Sequence, residues 1–529
     1  MAKSARRKDE VAALHWRMVS MGVFVVALGS VLLTLDDPGL TWDEPFSIFS
    51  GRSYAQWIGE LPRLPFSRDK IDAFWALNHE HPPLAKLAIG ISQAVLGASM
   101  GPILSSRLAI ALIFALLVEL VFHFGTRAFG GLAGLMAAAS LMCMPRVFGH
   151  AHLASLDLTM AATWTLSAVA FARAAEHGGW RWGAVSGLCF GLALLTKVNA
   201  VFLPLALVAW GVGFHRKRAI VPLALTLLGG LVVFYIGWPW LWHAPLARGW
   251  AYLRPTWRVA IPVQYFGRVY AEQGAPWHYP VVLTMATIPI GILFVVLMGG
   301  VHAVREFRRS PLLALLVVNV AVAIGPFLLP WLPKYDGVRL FLPAFPFIAL
   351  LAGVGGSRCW DWVAAHSKGR PWRPLFLGTV LFLSQAGAVV WMHPYGLSYY
   401  NALVGGLWGA ERLGLETTYW HDVVDRRLFR WLNRRCAVGS AVAFYPVGEF
   451  VVSNRRDVPD LYEAFYLHPR KRLRAVRLDK GARYQFVVLN ARKAMLRRHP
   501  EAWRIYTTRR PLYSVRRQGV LLAAVYGRE

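Results

Sequence analysis

Two acidic side chains near the N-terminus are well placed for chemistry. Asp43 and Glu44 stand side by side just after the first apolar stretch. Because aromatic residues follow them at nearly helical spacing, we expect a helix that lies on a membrane surface and holds both carboxylates there. A carboxylate that is partly desolvated at such a surface can act as a general base. The alternative interpretation is a pair of solvated loop acids.

A second polar cluster ends the same segment. His79, Glu80 and His81 precede two prolines, Pro82 and Pro83, which stiffen the backbone and disfavour helix before them. Imidazole and carboxylate groups are ligands suited to zinc or manganese. An interfacial or structural role is the more common one for neighbouring histidines, so both interpretations stay open.

Three basic residues stand near the predicted outer ends of apolar segments: Arg107, Lys197 and Arg339. Each alone is typical of a helix-end residue that reaches toward the head groups. Together on one face they would neutralise a phosphate or diphosphate. Carboxylates that activate an acceptor and cations that stabilise a leaving phosphate indicate group transfer from a lipid phosphate. Asp157 is a second acid, a ligand carboxylate or a helix N-terminal acid.

Aromatic residues are frequent over 242–279. An interfacial aromatic belt explains most of them, and one or two of the rings would stack on a sugar. We expect the substrate to contact four residues in particular: His81, Trp277, Tyr279 and Tyr335.

The elements that must position these side chains are membrane helices. The chain has 529 residues, of which 56% are hydrophobic and only 16% charged, whereas about a quarter is charged in a typical soluble domain. This composition excludes disordered, collagenous and coiled-coil classes. Apolar stretches of about 20 residues recur over the first three quarters of the chain. The 4 cysteines form no CxxC pair, which excludes a thiolate metal site and a disulfide scaffold.

Charge sets the predicted topology. The first apolar run is long, no cleavage site follows it, and basic clusters mark cytoplasmic loops, so we predict an uncleaved first span with its N-terminus in the cytoplasm. The segment over 84–100 is assigned to a juxtamembrane helix, because a crossing there would turn every later basic cluster outward. We predict about eleven transmembrane helices, over residues 18–35, 103–124, 130–145, 158–172, 183–196, 199–213, 219–241, 280–302, 311–332, 340–355 and 375–392.

The last part of the chain has a different pattern. A helix over 422–435 and short strands within 441–447, 484–490 and 519–527 predict a small extracytoplasmic α/β domain. The fold class is thus an all-α polytopic membrane protein with this small C-terminal α/β domain, divided into residues 1–394 and 395–529. Lys plus Arg is 57 against 28 Asp plus Glu; cytoplasmic loops explain much of this excess, and no nucleic-acid partner is expected. The basic tail is a solvated surface or a patch for anionic lipids or a polyanionic acceptor.

These motifs, in this order, resemble the GT-C superfamily of membrane glycosyltransferases. Within it the chain resembles bacterial members of glycosyltransferase family 39, relatives of protein O-mannosyltransferases and lipid A aminoarabinose transferases. The resemblance spans nearly the whole chain and rests on Asp43-Glu44, Glu80-His81-Pro82-Pro83-Leu84-Ala85-Lys86, Arg107, Asp157, and the segments 191–197, 276–280, 339–346, 393–401, 405–406 and 419–420.

The resemblance implies an enzyme of the plasma (inner) membrane that takes a sugar from a polyprenyl-phosphate donor. It implies inverting transfer to an acceptor hydroxyl of a protein, lipid or glycan on the extracytoplasmic side. It also implies that Asp43 is the catalytic base, that Glu44 and Asp157 position the acceptor or a metal, and that three residues hold the donor phosphate: Arg107, Lys197 and Arg339.

Some members of the superfamily use a divalent metal (zinc, manganese or magnesium). The resemblance implies Glu80 and His278 as its ligands here, while other members work without a metal. A transporter or flippase of polyprenyl-linked sugars is the alternative function, but such proteins place ionisable residues near the membrane midplane. A scaffold protein comes third, since it leaves the acids and cations without a purpose.

Overall fold

The computed structural model describes residues 2–61, 66–256, 261–271, 274–367, 369–370, 372–448, 451–452 and 460–528. Side chains are described within these ranges, except those of residues 2–15, 255–256, 377 and 381. The described chain is mostly helical, with one small sheet near its C-terminus. The predicted fold class, a helical membrane protein with a C-terminal α/β region, is confirmed.

Helices make up the part before residue 395. They are α1 (Ala2–Leu32), α2 (Glu44–Glu60), α3 (Arg68–Trp75), α4 (Leu84–Phe129), α5 (Gly131–Met142), α6 (Pro145–His150), α7 (Leu156–His177), α8 (Trp180–Leu194), α9 (Leu203–His215), α10 (Ile220–Ile236), α11 (Pro245–Thr256), α12 (Tyr279–Thr287), α13 (Ile290–Arg305), α14 (Pro311–Ile324), α15 (Phe345–Ala365) and α16 (Trp372–Met392). Two 3-10 helices border the site described below: Val198–Phe202 and Arg339–Ala344. A short hairpin of β1 (Val263–Tyr265) and β2 (Arg268–Tyr270) follows α11.

Several helices are suited to cross a membrane. In the described ranges, 5 are long and apolar enough to do so: Leu84–Phe129, Val198–Ile236 (which contains α9 and α10), Pro311–Leu328, Arg339–Ala365 and Trp372–Met392. The predicted span over 280–302 is a bent pair instead, since α12 and α13 meet at 120°. Pro289 causes the break, because the residue before a proline is driven out of the helical region.

The predicted juxtamembrane segment over 84–100 is the first part of α4. The helix direction breaks at Gly101, whose φ is +75°, a conformation that glycine adopts without a steric penalty. Helix α2 packs directly on this first part. A Cβ at Gly90 would overlap the carbonyl oxygen of Gly51, so the two backbones are in contact and fix the position of α2.

The sheet near the C-terminus has five strands. They are β3 (Ala441–Tyr445), β4 (Arg474–Arg477), β5 (Phe486–Asn490), β6 (Tyr513–Arg517) and β7 (Val520–Gly527), in the order β4-β3-β5-β7-β6. Strand β3 is parallel to β4 and β5, and β7 is antiparallel to β5 and β6. The remaining helices are α17 (Gly406–Arg412), α18 (Arg426–Arg435), α19 (Leu461–Phe465), α20 (Lys493–Leu496) and α21 (Pro500–Thr508). The three predicted strands and the predicted helix are all present.

The segment after α16 joins the sheet region to the membrane helices. The side-chain amide of Asn401 donates to the carbonyl oxygens of Met285 and Ile288 at 2.6 and 2.7 Å. These carbonyls lie at the break between α12 and α13, so Asn401 satisfies acceptors that the bend leaves open. One apolar cluster extends from the membrane helices into the sheet. The domain boundary at residue 395 stays a prediction.

Candidate active site

A cleft of about 190 Å³ opens where several loops meet the helices. It lies between the start of α2, the turn before α4, the start of α7 and the two 3-10 helices. The structure thus brings together predicted site residues from four distant segments. The residues that line it are Asp43, Phe46, Ser47, Asn78, Glu80, His81, Ser155, Leu156, Lys197 and Arg339.

Asp43 stands at the entrance to helix α2 as its N-cap residue, with Pro45 in the first turn. Its Oδ2 accepts a hydrogen bond of 2.7 Å from Nη2 of Arg339, and its side chain is 32% exposed. Burial of the carboxylate raises the pKa of Asp43 above its ordinary value, although the positive charge of Arg339 opposes this shift. A raised pKa makes the carboxylate a stronger proton acceptor.

Arg339 is the centre of a charge network. Its Nη2 and Nη1 donate to Asp43 and Asp336 at 2.7 and 3.0 Å, and its Nε lies 3.3 Å from Oδ2 of Asp157. The second oxygen of Asp157 accepts from Nζ of Lys197 at 2.5 Å. One chain of ion pairs therefore runs from Lys197 through Asp157 and Arg339 to Asp43.

Two members of the network were not among the predicted site residues. Asp336 lies in the loop before the 3-10 helix, with its φ at +53°, and Arg492 comes from the tail. Oδ1 of Asp336 is 2.8 Å from Nη2 of Arg492, and both side chains are fully buried. Asp336 was detectable as a neighbour of Arg339, whereas no local motif marks Arg492, because it enters the site only through tertiary packing.

Glu44 and Arg107 form a separate ion pair behind the cleft. Nε and Nη2 of Arg107 donate to the two carboxylate oxygens of Glu44 at 2.7 and 3.0 Å. The remaining N–H groups of Arg107 donate to the carbonyl oxygens of Leu35, Pro38 and Gly39. All five N–H groups of this arginine are thus engaged, none is left for a phosphate, and neither residue lines the cleft.

His81 lines the cleft and Tyr335 lies beside it. Burial, together with the positive charge of Lys86, lowers the pKa of His81 to about 3, so its imidazole is neutral near pH 7. The turn that carries His81 is held by Lys86, whose Nζ donates to the carbonyl oxygens of Asn78 and His81, both at 2.6 Å. The Cζ of Arg339 is 5.8 Å from the ring centroid of Tyr335.

The other two predicted substrate contacts lie outside the cleft. Trp277 is 61% exposed at the surface. Tyr279 is buried, and its hydroxyl accepts the backbone N–H of Gly337 at 3.0 Å. Tyr279 therefore supports the loop that carries Asp336, and it lines a small enclosed cavity behind that loop.

Each of the two predicted metal ligands has a hydrogen-bond partner within the protein. Oε1 of Glu80 accepts from the amide of Asn78 at 3.0 Å, and Nδ1 of His278 is 2.7 Å from the hydroxyl of Tyr265. Glu80 lines the cleft and His278 does not. Within the part of the chain that the structure describes, no group of 3 or more His, Cys, Asp and Glu side chains could hold a metal ion. Metal binding by Glu80 and His278 stays a prediction.

Part of the chain matches a family model, and the whole chain is similar in fold to solved structures. Residues 80–243 match the family model described as dolichyl-phosphate-mannose-protein mannosyltransferase. The chain is similar to the crystal structure of ArnT from Cupriavidus metallidurans bound to undecaprenyl phosphate, with a TM-score of 0.53 and 15% identity over 97% of this chain and 98% of that chain. The chain has the same overall fold as this ArnT. The apo state of the same ArnT gives a TM-score of 0.54 at 15% identity and the same coverage, and the predicted resemblance to GT-C glycosyltransferases is confirmed.

A further solved structure is also similar to part of the chain. The oligosaccharyltransferase of Archaeoglobus fulgidus in its apo form matches with a TM-score of 0.47 and 13% identity, over 85% of this chain and 60% of that chain. No curated protein sequence matches the chain. The matched segment over 80–243 contains Glu80, His81, Asp157 and Lys197 but neither Asp43 nor Arg339, so the cleft combines residues within and outside the family match.

Proposed function

We propose that this chain is an inverting glycosyltransferase that moves a sugar from a polyprenyl-phosphate donor to an acceptor hydroxyl. The observation that carries the proposal is that a carboxylate with a raised pKa, Asp43, shares one cleft with the cations Lys197 and Arg339. The reaction needs two elements: a base that activates the acceptor hydroxyl, and cations that stabilise the anionic leaving group. The GT-C fold and the undecaprenyl phosphate bound to ArnT support a lipid-linked donor.

The reaction is a single displacement. The acceptor oxygen attacks the anomeric carbon and forms the new C–O bond, while the bond from that carbon to the phosphate oxygen breaks and its electron pair leaves with the lipid phosphate. Asp43 takes the proton of the acceptor hydroxyl. Because the nucleophile enters opposite the leaving group through an oxocarbenium-like transition state, the configuration at the anomeric carbon inverts.

Lys197 and Arg339 stabilise the leaving phosphate. Their side chains are 8% and 10% exposed, so their charges act where little water screens them. Both are already paired with carboxylates, and a bound phosphate would compete with Asp43 for Nη2 of Arg339. Donor binding would thereby free the catalytic carboxylate for the acceptor, which couples the two substrates.

We place the cleft on the extracytoplasmic face. The basic N-terminus and the basic loop clusters are expected in the cytoplasm, which puts the segments that line the cleft on the opposite side. Arg107 and Glu44 then serve this site by positioning the start of α2, and Asp157 orients Lys197 and Arg339.

The test is a transfer assay with the full-length protein in lipid nanodiscs. Radiolabelled polyprenyl-phosphate sugars of several kinds are mixed with membrane extract as the source of acceptor, with and without a chelator. We expect label to move from the lipid to an acceptor with at least one donor, and inversion of the anomeric configuration in the product. The Asp43→Asn variant is the matched control, and its transfer should be slower by about 10²-fold or more.

Two results would contradict the proposal. One is lipid-linked label that crosses the bilayer of a proteoliposome without covalent transfer, which would indicate a flippase. The other is a product that retains the anomeric configuration, because retention requires two displacements through a covalent sugar–protein intermediate.

A further inference from the structure

Arg492 connects the C-terminal sheet region to the cleft. It follows strand β5 and is completely buried. Its Nη2 is 2.8 Å from Oδ1 of Asp336, and its Nη1 and Nη2 donate to the carbonyl oxygens of Tyr419 and Pro262, each at 3.0 Å. A buried positive charge destabilises the folded protein unless it is paired with a negative charge and hydrogen-bond acceptors. A buried arginine next to the cleft therefore indicates a specific role.

Arg492 is the third cation in the network of ion pairs. Three carboxylates, those of Asp43, Asp157 and Asp336, face three cations, those of Lys197, Arg339 and Arg492. Without Arg492, the network would carry a net negative charge before any substrate binds. A donor phosphate would then enter against that charge, and Asp336 would draw Arg339 away from the cleft.

The surroundings of Arg492 favour arginine over lysine. Its guanidinium lies over the ring of Trp42, with Cζ 4.8 Å from the ring centroid, and Trp42 directly precedes Asp43. A planar fork can donate to a carboxylate and to carbonyl oxygens while it stacks on an aromatic ring, which an ammonium group does less well. Arg492 therefore contacts both the partner of Arg339 and the residue before the proposed base.

We propose that Arg492 is a positioning residue through which the C-terminal domain controls donor binding in the cleft. It neutralises Asp336, so that the charge of Arg339 is directed to Asp43 and to the phosphate of the incoming lipid. This inference rests on the proposed function and extends it, because it makes the C-terminal domain part of the donor site. The catalytic cleft would be incomplete without the tail.

The test compares variants of the full-length protein by their affinity for undecaprenyl phosphate, measured by microscale thermophoresis or by thermal stabilisation. We expect Arg492→Gln to weaken binding about tenfold or more. Arg492→Lys should weaken it less, because lysine keeps the positive charge but not the planar fork. The double variant Asp336→Asn/Arg492→Gln should recover most of the lost affinity, because it removes the uncompensated carboxylate. The exposed Arg497, changed to Gln, is the matched control and should bind as the wild type does.

A residue with only a structural role would behave differently. In that case the double variant would bind no better than Arg492→Gln, and Arg492→Lys would be as weak as Arg492→Gln; either result would overturn the proposal. Unfolding of the single variants is monitored in parallel, and the double variant keeps the test decisive if Arg492→Gln is poorly folded. Failure of the wild-type chain to bind the lipid would overturn the proposed function too, whereas equal binding by the wild type and Arg492→Gln would overturn only this role.

Discussion

Arg107 and Glu44 form an ion pair that is closed to solvent on all sides, with Nε 2.7 Å from Oε1. Glu44 also accepts the backbone N–H groups of Thr41 and Ala154 at 2.8 and 3.1 Å. One carboxylate therefore joins the start of α2, helix α4 and the loop before α7. Because Glu44 directly follows Asp43 in the chain, this pair sets where the proposed base stands.

The first prediction concerns this pair. Glu44→Gln leaves the buried charge of Arg107 without a negatively charged partner, and we expect it to lower the free energy of unfolding by about 3–5 kcal/mol. Thermal or denaturant unfolding in detergent measures the loss. Glu60→Gln, at the exposed end of the same helix, is the control and should change stability little. A Glu44→Gln variant as stable as this control would show that the pair does not hold the site.

The second prediction concerns the base. Asp43→Asn keeps the size of the side chain and removes its ability to take a proton, so turnover should fall by about 10²-fold or more. Affinity for undecaprenyl phosphate should stay within about threefold, because Lys197 and Arg339 remain. The exposed Asp69, changed to Asn, serves as the control. Near-normal turnover of Asp43→Asn would remove this residue from its role.

The third prediction concerns Lys197, one of the two cations proposed to bind the donor phosphate. Lys197→Met should weaken the binding of undecaprenyl phosphate by about tenfold or more, because it removes a buried cation and leaves Asp157 with a single partner. Protection against thermal unfolding by added lipid measures this affinity. Arg52→Gln, on the exposed side of α2, is the control. Equal protection of Lys197→Met and the control would exclude Lys197 from donor binding.

The fourth prediction is the pH dependence of transfer. Since burial raises the pKa of Asp43, activity should rise with pH through a value above that of an ordinary aspartate. Asp336→Asn removes a neighbouring negative charge that contributes to the shift, so the acidic limb of the profile should move to lower pH. A limb that stays in place would indicate that another group is titrating.

The fifth prediction concerns stability. Burial raises the pKa of Asp422 to about 7. The folded protein resists ionisation of this group and the unfolded chain does not, so its contribution to stability is complete at acid pH and is lost as the pH rises through about 7. Relative to the wild type, Asp422→Asn should therefore gain at least about 1 kcal/mol between pH 5 and pH 8. Parallel unfolding curves of the two proteins at both pH values check this.

The helical membrane fold and much of the cleft were predictable from sequence. Apolar length marks spans, and charge marks the ends where Asp43, Lys197 and Arg339 stand, so these residues could be assigned to one face. The bend between α12 and α13 was not predicted. The apolar segment is continuous in hydropathy, so it was interpreted as one span, although Pro289 breaks the helix.

The pairing of individual charges was not predictable. Arg107 and Lys197 both lie at the ends of apolar segments. All N–H groups of Arg107 donate to carbonyl oxygens and to Glu44, whereas Lys197 lines the cleft. That difference depends on the path of the chain over 35–39. The role of Arg492 could not be predicted from sequence either, because only the packing of the tail on the membrane helices brings Arg492 to Asp336.

The backbone contact between Gly51 and Gly90 has a mechanical consequence. No side chain separates the two helices there, so nothing at this junction can repack to absorb a displacement. A displacement of α2 would therefore carry the first part of α4 with it as one rigid unit. Asp43, the N-cap residue of α2, would then keep its position relative to α4.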